Sequence, residues 1–324
     1  MKKSFKIFLA AAVLVTEFFV VALPLMITSA KADGHPIQAV THAGFGGGTD
    51  VTTRMMLLRT RRYLKQDMQL VNKKGGGGAA SMDYMMTLPA DGQHTLTWTT
   101  GHAVSMALGK TKVKLSDMQP LARGTDDPQL FVVNCKNDIK DAKKFISAQK
   151  SKSLKYGTTH VGGIDDVSAI AFTKKGKLTD PTIVPYKGVG PIKTNLIKGD
   201  IDVGVLNLGE AVTEIEDGTL CVSVVLASNR MEKLNNVPTA TELGIPVVLS
   251  TVRGFVTRKG VPADRKKQLE DAMIKAMEHK HFQSFLTDIG LDSTSVVGAD
   301  EWGTQMETML AEMTAQLKAL GYIK

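Results

Sequence analysis

Gly44-Phe45-Gly46-Gly47-Gly48-Thr49-Asp50 is the stretch on which the reading of this chain turns. Ile37-Gln38-Ala39-Val40 before it has the character of a short strand. After it, Val51, Met55 and Leu58 recur on one helical face. The glycines therefore form a strand-to-helix turn, with Thr49 or Asp50 as the expected N-cap. Glycine lets a backbone approach a ligand closely. The first N–H groups of a helix lack intrahelical partners and lie at the positive end of its dipole. Such a turn is either an anion site built from main chain or simply a capped turn, and the stretch alone does not separate the two.

Working outward, the same device recurs. Met68-Gln69-Leu70-Val71 is a second strand, followed by the run Gly75 to Gly78 and the helical pattern from Ala79 to Met86. His94 to Trp98 is a third strand, ending at Thr99-Thr100-Gly101-His102. Alternating strands and helices indicate an α/β fold with a mostly parallel sheet. Ligands then sit beyond the carboxyl ends of strands. Further on, Leu154-Lys155-Tyr156 leads into Gly157-Thr158-Thr159-His160-Val161-Gly162-Gly163-Ile164-Asp165-Asp166 and a helix from Val167. Two glycine loops on two lobes would grip an anion from both sides. A short helix is expected at Pro238 to Gly244. The C-terminal region reads as two helices, Arg265 to Phe285 and Glu301 to Leu320.

At 324 residues, the chain is longer than a typical single domain, and its 43% hydrophobic content supports a real core. The net charge of +8 favours acidic partners, but the cations are dispersed and aromatics are only 6%, which argues against nucleic-acid binding. Lys2, Lys3 and Lys6, the apolar run Ile7 to Ile27 and Ala30-Lys31-Ala32 fit an export signal cleaved after Ala32. The alternative is a retained anchor, since the run is long and contains Glu17. Export would place Cys135 and Cys221 in an oxidising space. Each lies at the end of an expected strand. They pair if those strands are antiparallel neighbours; otherwise they are two buried thiols.

Several chemistries are excluded. Gly109-Lys110-Thr111 has a P-loop ending, but Val104 stands where its first glycine belongs. Val51 breaks a dinucleotide fingerprint begun at Gly46 and Gly48. No His-Glu-x-x-His or Gly-x-Ser-x-Gly occurs. No cofactor and no metal are expected. Asp126-Asp127 and Asp165-Asp166 are expected to cap helices or turns.

Taken in order, Gly46 to Asp50, Val71-Asn72-Lys73-Lys74-Gly75-Gly76, Pro89-Ala90-Asp91-Gly92, Tyr156-Gly157-Thr158-Thr159, Val184-Pro185-Tyr186-Lys187-Gly188, Val237 to Glu242 and Gly260-Val261-Pro262 form an ordered set. The set resembles the extracytoplasmic solute receptors of tripartite tricarboxylate transporters, the Bug family, from about Ile37 to the C-terminus. The resemblance implies a two-lobed periplasmic-binding-protein fold of type II with crossing hinge strands. With the residue reading above, residues 33–125 and 250–324 are expected in lobe 1, 126–249 in lobe 2 and a signal peptide in 1–32. The resemblance implies a periplasmic receptor, not an enzyme, that hands a di- or tricarboxylate or related acid to membrane permease subunits; the chain is expected to be a monomer. Carried over residue by residue, ligand binding falls to Gly46, Gly47, Gly48, Thr49 and Asp50, to Thr158, Thr159 and Gly162, to Thr100 and His102, and to Asn207. Two positions depart from the family pattern. Phe45 stands where prolines are common, and Leu206 where an acidic residue precedes Asn207. Arg253 is expected where the chain re-enters lobe 1, either forming a bidentate bond to a second carboxylate or lying in a surface salt bridge. The other readings are an exported α/β enzyme using Asp50 or His102 as base, and a ligand-sensing subunit of a membrane signalling system.

Overall fold

The computed structural model describes residues 35–159, 161–319 and 321–324. The expected export segment lies outside them. Gly34–Lys324 form one compact unit containing two sheets.

The first sheet starts as the glycine turns suggest. Strand β1 (Ile37–Thr41) leads through the quoted stretch to α1 (Gly48–Leu64), β2 (Met68–Asn72), α2 (Ala79–Thr87), β3 (His94–Thr99) and α3 (Thr100–Ala107). Strand β1 pairs in parallel with both β2 and β3. Parallel strands need a crossover, and α1 and α2 supply it. The sheet is mixed, however, not mostly parallel. The long strand β4 (Met118–Pro128) and β10 (Ser250–Arg258) pair antiparallel with each other, and β10 pairs antiparallel with β3. These two strands carry the chain out of the sheet and back, which fixes their opposite directions.

Beyond Pro128 the chain builds the second sheet. Its elements are β5 (Leu130–Asn134), α4 (Ala142–Ser151), β6 (Lys155–Thr158), α5 (Ile164–Lys175), β7 (Thr182–Pro185), α6 (Val189–Lys198), β8 (Val203–Leu206), α7 (Leu208–Glu216) and β9 (Leu220–Val225). Strand β6 is parallel to β7 and β8, while β5 runs antiparallel to β8 and β9. Alternation along β5 serves both faces. Phe131 joins Phe145, Tyr156 and Phe172 on one side, and Leu130 and Val132 join Ile192, Leu196 and Leu206 on the other. Because β5 and β9 are antiparallel neighbours, with Val133 opposite Cys221, the two cysteines meet at the strand end and are bonded, Cα to Cα 5.0 Å.

Two sequence expectations are corrected here. Pro238 to Gly244 is a series of turns, not a helix. Its Thr239 makes a β-bridge to Val225, and Glu242 accepts from the Thr239 N–H and from Arg230, which hold the segment to turns in which Leu243 N–H to Thr239 C=O is a lone α-type bond. The expected single helix from Arg265 to Phe285 is two, α8 (Ala263–Glu278) and α9 (Lys280–Asp288), broken at an extended His279 whose ring accepts from the His281 N–H. A two-residue strand β11 (Val297–Gly298) then edges β4, and α10 (Ala299–Ala319) closes the chain. Helix α10 lays Trp302 against Trp98 and over Gly254 of β10, where a Cβ would fall 2.3 Å from the indole.

Candidate functional site

The loop before α1 is a self-contained device. Gly46 has φ +76°, a conformation that favours glycine. The N-cap is Gly47, not Thr49 or Asp50, so both of those side chains stand in the first turn. Asp50 reaches back and accepts from the Gly46 N–H at 3.1 Å, and Arg54 donates to both of its oxygens. Burial alone would raise this carboxyl; hydrogen bonds from Arg54 and Gly46 outweigh it and hold Asp50 below the usual range. The first intrahelical bond is Val51 N–H to Gly47 C=O. The N–H groups of Gly48, Thr49 and Asp50 precede it and remain available for an anion.

The loop before α5 repeats the arrangement at the same offsets. Gly162 has φ +68°, Gly163 is the N-cap, and Asp166 accepts from the Gly162 N–H at 2.6 Å. Asp165 accepts from the N–H and hydroxyl of Thr159. So Thr159 and the paired aspartates set the loop's shape, and the expectation that Asp165-Asp166 acts as a cap holds. Thr158 ends β6, fully buried, with its hydroxyl unpartnered. A Cβ on Gly162 would fall 3.7 Å from Leu108, which follows α3, so this loop lies beside the first lobe.

Beside the first loop lies Arg253, 3% exposed. In β10 it stands opposite Thr125 of β4 and Thr99 of β3. Its Nη1 donates to Asp127, Thr125 and the Thr251 carbonyl, its Nε to Thr49, and its Nη2 to Asn207. A Cβ on Gly48 would be 2.6 Å from Nη2, so only glycine lets α1 start this close to the guanidinium. Arg253 is therefore neither a surface residue nor a free fork. A guanidinium has five N–H donors, and these contacts leave one, on Nη2, where a bidentate bond would need two.

Asp127 is the partner that the sequence did not reveal. Asp126-Asp127 is not a cap; it lies in β4. Strand alternation sends the two side chains to opposite faces. Asp127 meets Arg253 at 3.1 Å, whereas Asp126 accepts from Ser250, Arg123 and Gln305. Burial pushes Asp127 up to about 6, against the pull of Arg253. Asn207 is the residue before α7. Its amide donates to the Asp127 and Pro128 carbonyls, and its own N–H donates to Glu210 in the first turn. Burial pushes Glu210 up to about 7; the Asn207 N–H opposes this and nearby Asp165 adds to it. The N-termini of α1 and α7 thus meet at one buried cation, and Asp165 at the start of α5 is near enough to Glu210 to act on it.

Thr100 and His102 do not join this assembly. The Thr100 hydroxyl donates to the Ser250 carbonyl and accepts from the Val252 N–H, fastening α3 to β10. It faces a groove of about 1010 Å³ on the other side of the crossing strands, lined also by Arg123, Asp126, Arg230 and Gln305. No residue of either glycine loop is among the residues lining that groove. His102 is fully buried; its Nδ1 accepts from the Thr99 N–H and its Nε2 meets Ser81. Burial, reinforced by His42, keeps it neutral. It caps α3 and is too enclosed to act as a base.

Comparison with known proteins agrees with this geometry. A family model described as the tripartite tricarboxylate transporter family receptor matches residues 52–320. A protein of Agrobacterium vitis, from the TAR-I ttuE-ttuC′ intergenic region, is 25% identical over 248 residues, covering 75% of this chain and 71% of its own. MatC from Rhodopseudomonas palustris, solved with bound malate, superposes with TM-score 0.76 at 23% identity, over 87% of this chain and 98% of that one. A second R. palustris protein, solved with adipate, gives TM-score 0.78 at 21% identity, over 88% and 97%. The likeness to these structures establishes the two-lobed fold. The family match spans most of the chain, which therefore belongs to the tripartite tricarboxylate transporter family of solute-binding receptors.

Proposed function

We propose that the protein is an exported periplasmic receptor that captures a small organic acid between its lobes and delivers it to the permease of a tripartite transporter. The observation that carries this is the matched pair of loops. Gly46-Gly47 with Asp50 presents one helix N-terminus beside Arg253, and Gly162-Gly163 with Asp166 presents a second, built alike, from the other sheet. The binding residues are then Gly46, Gly47, Gly48, Thr49, Thr158, Thr159, Gly162, Asn207 and Arg253. Asp50 shapes its loop from behind. Lobe 1 comprises 33–125 and 250–324, and lobe 2 comprises 126–249. The malate and adipate of the two R. palustris proteins support an acid as ligand.

The mechanism follows from the topology. The segments that follow β4 and precede β10 carry the chain between the two sheets, so one lobe can swing about these strands. A ligand closes the lobes only by binding the closed form better than the open one. Groups from both loops supply that difference, because neither completes the site alone.

Residues 33–324 should act as a monomer. A thermal-shift screen against organic acids should show a saturable rise in Tm for at least one acid, since a ligand of the native state stabilises by mass action. The acid should be recovered unchanged after incubation. No shift from any acid, or conversion of the ligand to a product, would refute the receptor reading.

A further inference from the structure

The charge around Arg253 does not suit a plain dicarboxylate. Arg253 is the one cation of the convergence point, and three carboxylates sit within electrostatic reach of it or of one another: Asp127, Glu210 and Asp165. The other nearby acid, Asp50, is already neutralised by Arg54. Arg253 spends its donors on Thr49, Thr125, Asp127, Thr251 and Asn207. One N–H remains, on Nη2, beside the open N-terminus of α1. This accommodates a single carboxylate. A second would be placed among carboxylates, where like charges repel.

An independent observation points to what belongs there. Asp127 is 3% exposed; its Oδ2 accepts from Arg253, but its Oδ1 is buried with no hydrogen-bond donor in contact. A buried charged acceptor without a donor is costly. The strand register directs this side chain to the face that carries Thr125, Thr251 and Arg253, which is the face toward α1 and α7. On that face the missing partner is a donor, and a cationic one suits the surrounding charge.

We propose that this receptor selects acids that also carry a protonated amine, with the carboxylate at the N-terminus of α1 beside Arg253 and the ammonium against Asp127 and Glu210. The inference rests on the receptor reading and narrows its ligand class. The carboxylate uses the Gly48, Thr49 and Asp50 N–H groups. The ammonium supplies up to three donors, one of them to Asp127 Oδ1. An amine-bearing acid brings no extra net negative charge into the site, whereas its amine-free counterpart does.

The test compares matched pairs that differ only by the amine: glutamate with glutarate, aspartate with succinate, and 4-aminobutyrate with butyrate. Calorimetric titration of residues 33–324 should show at least one amine-bearing member binding ten-fold or more tighter than its partner. Asp127→Asn, checked for fold by circular dichroism, should shrink that preference below three-fold. Glu210→Gln is the second variant, because it leaves the Asp127–Arg253 pair intact and should shrink the preference in the same direction. Tighter binding of the amine-free members overturns this inference while leaving the receptor reading standing. A preference that survives both substitutions also overturns it. If acids of neither kind bind, both readings fall.

Discussion

At the residue scale, the site is set by two carboxyl groups that burial keeps easy to protonate. Glu210 is raised from an ordinary 4.5 to about 7, and Asp127 from 3.8 to about 6, burial being the chief cause of each shift. The folded protein therefore binds more protons than the unfolded chain between those values. Stability from these groups is present in full below about 4 and is lost as pH rises through about 6 and then 7. Asp50 works in the opposite sense. Its folded pKa is lowered, so its contribution is present above 3.8 and is lost only in more acidic solution. Between pH 5 and pH 8 the first effect governs. Tm should fall by a few degrees across that interval, and Glu210→Gln, which cannot titrate, should flatten the upper half of the curve. A wild-type Tm that climbs steadily from pH 5 to pH 8 would contradict the assignment, as would an unchanged slope in the variant.

At the scale of elements, the loop-and-helix unit was legible because it is local. Glycines at fixed offsets from an aspartate, after a strand and before a helix, can be read from neighbouring letters, and both loops are where the sequence put them. Arg253 was visible as a residue but not as a bonded one. Its partner Asp127 lies 126 positions away, joined to it only through the antiparallel pairing of β4 with β10. Strand alternation says that Asp126 and Asp127 face opposite ways, but not which of them meets the arginine. The break at His279 was hidden because apolar spacing continues across it. The close approach of α1 to Arg253 also leaves no letter other than Gly48. An alanine there suits the helix, yet its Cβ would be 2.6 Å from Nη2 of a guanidinium held by Asp127 and Thr125. Gly48→Ala should therefore keep the helix content and lose at least about tenfold in ligand affinity, ~1.4 kcal/mol. Gly190→Ala in α6 is the control, since a Cβ there would meet nothing within 4 Å and the residue lies outside the proposed site. Equal affinity losses in the two variants would detach Gly48 from the arginine.

At the scale of the whole molecule, two sheets of similar design are joined by strands, and each sheet is stabilised differently. The first is clasped by its own late helices, with α8 packed on α1, and Trp302 of α10 over Gly254 and beside Trp98. Along β5 and β9 of the second, the bond between Cys135 and Cys221 spans 86 residues, most of the second sheet. Cross-linking a loop of that length limits the unfolded chain more than the folded one. The bond also lies at the far end of β5 from the site. Leu130 pairs with Leu206, next to Asn207, while Cys135 follows Asn134, roughly 15 Å further along at about 3.3 Å per residue. Replacing both cysteines by serine should thus lower stability by about 2–5 kcal/mol, with Tm down by roughly 5–15 °C. Ligand affinity, measured well below the new Tm, should remain within about threefold of the parent, less than 1 kcal/mol. A stable variant that binds ten-fold more weakly would show instead that the second sheet transmits strain from its disulfide end to Asn207, and the picture of two rigid lobes turning on β4 and β10 would have to be given up.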